Sequence, residues 1–83
     1  MPHFYLHLIN GSGVTRDDEG LELPDATAAR HEALSAIRSI LKEELVQGQL
    51  DLGGRISIDD GEGNFLFDVM FAEAVDIRSN GIG

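Results

Sequence analysis

The chain has 83 residues, which is one domain at most and room for a limited core. Fifteen acidic residues against six basic ones give a formal charge of −9, so nucleic acid and anionic membrane are set aside as partners, and a basic protein or a cation fits better. With no cysteine, disulfides and thiolate metal sites are excluded, which suits a reducing compartment.

His3 to Ile9 opens the chain as a strand, with Phe4, Leu6 and Leu8 on one face and His3, Tyr5, His7 and Ile9 on the other. Met1-Pro2-His3 has no basic n-region and His7 breaks the apolar run, so no signal peptide is expected. No stretch approaches a membrane span, and the expected location is cytoplasmic. Asn10-Gly11-Ser12-Gly13 reads as a turn into a short second strand, Val14-Thr15-Arg16. Asp17-Asp18-Glu19-Gly20 ends that strand, and Leu21-Glu22-Leu23 runs extended, with Leu21 and Leu23 expected under the start of a helix.

That helix spans Asp25 to Gln47. Pro24 blocks backward extension, Asp25 is a strong N-cap and Gly48 supplies the left-handed stop. At 100° per residue, Ala26, Ala29, Ala33, Leu34, Ala36, Ile37, Ile40, Leu41 and Leu45 share one half of the wheel. The helix is roughly 33 Å long at 1.5 Å per residue, against about 23 Å for a seven-residue strand. Leu41, Leu45 and Val46 therefore need cover from the segment after Gly48 or from a second chain.

Gln49 to Gly54 forms a linker anchored by Leu50 and Leu52. Arg55 to Ile58 is a third strand, Asp59-Asp60-Gly61-Glu62-Gly63 a hairpin loop and Asn64 to Phe71 a fourth strand. Phe65, Phe67, Val69 and Phe71 are expected inward. Residues 72–78 read equally as strand or helix, and 79–83 as a frayed tail after a single domain over 1–78.

The fold class is α+β. Its ββαββ order gives a four-stranded mixed sheet with the helix on one face. The first and fourth strands are the richest and are expected at the centre as a parallel pair, giving the order 2-1-4-3 in chain numbering.

This topology brings the loop after the second strand and the later hairpin to one pole, with the helix N-terminus beside them. Asp17, Asp18, Glu19, Glu22, Asp59, Asp60 and Glu62 are the candidate partner-binding residues there. The preferred reading is a non-catalytic interaction module that binds a basic protein or itself. The alternative is a regulator responsive to a divalent cation, using loops 17–25 and 59–64, although neither loop has the D-x-D-x-D-G spacing. On the outer sheet face Tyr5, Ile9, Leu66 and Met70 would form a mixed apolar patch, the candidate surface of a homodimer.

No cofactor and no catalytic constellation is expected. His3 and His7 are four apart on a strand, roughly 13 Å, too far to share one zinc at about 2 Å per ligand. His31 and Ser35 share a helical turn but lack an orienting acid or an oxyanion donor. Gly11-Ser12-Gly13 is too short for a phosphate loop and opens no helix.

The run Asp17-Asp18-Glu19-Gly20-Leu21-Glu22-Leu23-Pro24-Asp25, followed by the alanine-rich stretch Ala28 to Ala33, resembles a family of small bacterial proteins of unknown function. The resemblance covers nearly the whole chain and implies no activity. A weaker likeness is to the partial ribonuclease-H-like domains of HicB-type antitoxins, which also place a hairpin and a Pro/Gly/Asp-rich turn before an alanine-rich helix. That likeness implies a small basic toxin as partner.

Overall fold

A computed structural model describes residues 1–78; the tail expected over 79–83 lies outside the described residues. Helix α1 (Ala26–Val46) starts where Asp25 adopts an extended backbone and its carboxylate accepts the Ala28 N–H at 2.8 Å. It stops at Gly48, whose φ of +80° reverses the chain. The Gly48 N–H then donates to the Leu45 carbonyl at 3.0 Å and the Gln49 N–H to the Glu44 carbonyl at 2.8 Å. These bonds satisfy carbonyls that the last turn leaves free. Ala29, Ala33, Ile37 and Leu41 recur every fourth residue and are buried. The buried stripe is narrower than expected: Leu34 and Ile40 are half-buried, while Ala26, Ala36 and Leu45 are exposed.

The sheet comprises β1 (His3–Asn10), β2 (Gly13–Thr15), β3 (Leu21–Glu22), β4 (Arg55–Asp60) and β5 (Phe65–Met70). Its order is β2-β1-β4-β5, with β3 also bonded to β1, and every pairing is antiparallel. The α+β class and the single helix on one face agree with expectation. The mixed sheet with order 2-1-4-3 does not: the strand after the helix, not the last one, lies beside β1. Leu6 pairs with Ile58 and Leu8 with Ile56. Antiparallel ladders are slightly stronger than parallel ones, and this pairing sends the chain from α1 straight into its neighbour strand. Aromatic richness was the wrong guide to the centre, because Ile56 and Ile58 are buried whereas Phe65, Leu66 and Met70 are exposed.

A bulge explains Phe65. Ile58 opposes Phe67 but Asp59 opposes Phe65, so Leu66 has no partner and the alternation shifts. Phe65 turns to the outer face, contrary to its expected inward position, while Phe67, Val69 and Phe71 stay on the helix side. Leu21 is exposed rather than tucked under the helix, and only Leu23 packs there. Leu52 anchors the linker as expected, but Leu50 is exposed. Leu41 is buried, yet Leu45 and Val46 run past the sheet and are 60% and 83% exposed.

After β5 the chain makes a short 3-10 turn (Phe71–Glu73) and no further regular element up to residue 78. Phe71 and Ala74 enter the core beneath α1. Arg38 Nε donates to the Ala74 carbonyl at 2.8 Å, and Arg30 pairs with Glu73.

Candidate functional site: an acidic pole

The start of β1 and the end of β4 are neighbours: Phe4 pairs with Asp60 and Tyr5 with Asp59. On the other edge of β1, β3 returns to pair with His3 and Phe4. Loop 16–20 and the hairpin after Asp60 therefore meet at this end, as the chain order required.

The edge of β1 is served by β2 at Leu8 to Asn10 and by β3 at His3 and Phe4, leaving a gap between them. Asp17 fills it. Its Oδ2 accepts the Leu6 N–H at 3.1 Å, and its Oδ1 accepts the N–H groups of Gly20 at 2.9 Å and Glu19 at 3.3 Å. A side chain here does the work of the missing strand. The Asp17 N–H donates to His7 Nδ1 at 3.0 Å, so the ring proton sits on Nε2 and points to Asp59 Oδ2 at 3.1 Å. His7 thus bridges the two loops with both nitrogens occupied. Its side chain is 12% exposed and that of Asp59 19%. His3 fastens the same loop by donating from Nε2 to the Glu19 carbonyl at 2.7 Å. The Tyr5 ring lies between the two histidines, edge-on to His3 and parallel to His7.

Asp60 organises the hairpin. Its carboxylate accepts the N–H groups of Glu62 and Asn64, each at 2.9 Å. The Asn64 N–H is the strongest influence holding the Asp60 carboxyl below its ordinary pKa. At Asp17, burial pushes the carboxyl up. The N–H groups of Gly20, Leu6 and Glu19 outweigh it and leave the pKa lowered.

The seven acids thus divide by role. Asp17 and Asp60 hold their own loops, and Asp59 holds His7. Asp18, Glu19, Glu22 and Glu62 are exposed, and no described hydrogen bond occupies their carboxylates. A shallow cleft of about 210 Å³ opens between Tyr5, His7, Arg16, Asp18 and Asp59. Neither the His7 bridge nor Arg16 was singled out from sequence. Alternation told which face His7 occupies, but the partner across a loop leaves no periodic mark.

The other expected surface is divided. Tyr5 and Ile9 lie on β1 and Leu66 and Met70 on β5, but β4 runs between them. Tyr5 opposes Asp59 and Ile9 opposes Arg55, so a polar row of Arg55, Ser57 and Asp59 separates the halves of the patch. The expectation that Tyr5 and Ile9 neighbour Leu66 and Met70 is corrected accordingly. Among the described residues, no group of three or more His, Asp or Glu side chains is placed to hold a metal ion. No described helix is long and apolar enough to cross a membrane.

Comparison with protein families matches residues 3–72 to a domain of unknown function, DUF6894. The chain belongs to the DUF6894 family. In this DUF6894 domain the matched stretch runs from β1 into the 3-10 turn, so the whole pole and the core beneath it fall inside it. The match lends nothing to the HicB-type resemblance. No curated protein and no solved structure matches the chain.

One result is expected of this DUF6894 pole on acidification. A carboxyl whose pKa is depressed by folding contributes stability above its unfolded value, near 3.9, and loses it as pH falls through the folded value. Asp17→Asn removes that contribution and aims an amide donor at backbone N–H groups. It should destabilise the domain by about 1–3 kcal/mol at neutral pH. In urea melts the gap from wild type should narrow at a pH below the lowered Asp17 value. A constant gap across pH would mean that its ionisation is not what ties the loop.

Proposed function

We propose that this DUF6894 domain is a non-catalytic protein-interaction module that docks a basic protein through its acidic pole. The observation that carries the reading is the His7 bridge. Loop 16–20 and the β4–β5 hairpin are cross-tied through Asp17, His7 and Asp59, so the exposed carboxylates of Asp18, Glu19, Glu22 and Glu62 project from a braced surface. A preorganised surface loses less entropy on binding than a floppy one, and like charge held together attracts an opposite patch at long range. The charge of −9 acts in the same direction.

Self-association is the second reading, and its support lies at the opposite end. Leu45, Val46 and Leu50 are exposed where α1 outruns the sheet. The cation-responsive alternative has no comparable support, since Asp17 and Asp60 direct their oxygens to backbone amides.

The test is capture of a partner from native lysate at low salt, with wild type and with Asp18→Asn, Glu19→Gln, Glu22→Gln and Glu62→Gln combined. These four leave the loop-holding acids untouched, so the fold should survive. A partner captured by wild type should be reduced at least about tenfold by the variant and released by salt. Capture undiminished by neutralisation would refute docking at the pole.

A further inference from the structure

Strand β5 ends the sheet, and no described strand covers its outer side. Its backbone orientation is settled at the C-terminal end. The Phe71 N–H donates inward to the Gly54 carbonyl at 2.9 Å, while the Met70 N–H turns outward to Glu73 Oε2 at 2.8 Å. Alternation then directs the N–H and C=O of Asp68 outward as well. Three of the exposed apolar residues of the molecule, Phe65, Leu66 and Met70, belong to this one strand. An edge of this kind is a template for another strand.

Its guards are selective. The bulge at Leu66 and the Glu73 carboxylate over the Met70 N–H close the two ends. Asp68 stands between them. Three acids punctuate the edge: Glu62 in the hairpin at one end, Asp68 in the middle and Glu73 at the other end. Arg55 lies 3.7 Å from Asp68 and Arg30 pairs with Glu73, so these two acids are offset and, among the described residues, the unpaired charge of the edge is at its hairpin end, on Glu62. A second copy would bring one chain of charge −9 against another. A basic strand meets the opposite situation.

We propose that the β5 edge is a strand-addition site for an extended basic segment of a partner protein, in which Lys or Arg alternates with apolar residues. The inference rests on the proposed function and deepens it: charge at the pole brings the partner in, and the edge supplies the ladder. Main-chain hydrogen bonds to Asp68 would give binding, and contacts with Phe65 and Met70 would read the apolar positions.

The probe is a short acetylated peptide of alternating Lys and Val, titrated into the isotope-labelled domain at low salt. Amide signals of Leu66, Asp68 and Met70 should shift together, and hydrogen exchange at the Asp68 amide should slow. Two further peptides, N-methylated at alternate residues in opposite phases, keep their charge but block one edge each. One phase should bind at least about tenfold more weakly than the other. Asp68→Pro should weaken binding by a similar factor relative to Asp68→Asn, because proline removes an outward N–H without touching the β4 ladder. Shifts confined to residues 17–22 and 60–63, with both N-methylated peptides binding equally, would overturn strand addition while leaving docking at the pole intact. Absence of any binding would overturn strand addition, and the lysate capture would then decide the pole separately. Tight self-association by light scattering in place of peptide binding would overturn it in favour of a second copy.

Discussion

Phe71→Ala should destabilise the domain by about 3–5 kcal/mol, the range for removing a buried phenylalanine. Phe71 is fully buried, among the largest side chains in the core. Its ring rests on Gly54: a methyl group at that position would lie 2.9 Å and 3.0 Å from ring carbons and 3.1 Å from Asn10 Cβ. Gly54 thus gives the ring room where the linker enters β4, and the Phe71 N–H returns to the Gly54 carbonyl. Truncation leaves a void in the core beneath α1. A domain of this size has a total stability of only about 5–15 kcal/mol, so such a loss brings it near unfolding at room temperature. The measurement is a urea melt followed by circular dichroism. A midpoint within experimental error of wild type would show that Phe71 is not the keystone of the core.

Gly20→Ala should cost about 2–4 kcal/mol, from a left-handed backbone combined with a steric clash. Gly20 has φ +70°, and an added Cβ would lie 2.4 Å from His3 Nε2 and 2.6 Å from the Phe4 carbonyl oxygen. His3 cannot simply swing away without releasing the Glu19 carbonyl, and the Phe4 oxygen belongs to a strand. The Gly20 N–H is also one of the donors that Asp17 accepts. The substitution should therefore loosen loop 16–20 first, seen as faster hydrogen exchange at the Leu6 and Asp17 amides. Gly63→Ala is the matched control. Its φ is +86°, but a Cβ there meets nothing within 4 Å, so only the backbone penalty of about 1 kcal/mol applies. Equal losses at the two positions would contradict the packing of His3 against Gly20.

Much of this arrangement is legible in the amino-acid sequence. The helix was readable because its signals are local: Asp25 and Gly48 act through the nearest backbone groups, and a four-residue spacing of apolar side chains survives in any tertiary setting. The alternation of β1 was equally plain, and Phe4, Leu6 and Leu8 do face the core. The meeting of the acidic loops followed from chain direction alone. It would hold with either order of the last two strands, which is why an incorrect sheet order still gave the correct pole.

Strand neighbours, by contrast, are a choice between distant segments, and Phe65 illustrates how a pattern misleads. Its run of alternating apolar residues reads inward until a one-residue bulge at Leu66 turns it out. The bulge has no local sequence signal. The role of Asp17 was hidden for the same reason. Aspartate in a turn is commonplace, and its value here depends on a gap in the β1 edge at Leu6, eleven residues away in sequence.

Local chemistry, then, was enough to specify the rod, the first strand, the turns and the crowding of negative charge at one end, because each depends on residues close together in the chain. Only the folded arrangement decided which strand lies beside β1, that His7 ties the two acidic loops, and that no described strand covers the outer edge of β5. Those outcomes depend on which distant backbone groups pair, and periodicity along a single chain carries no record of that pairing.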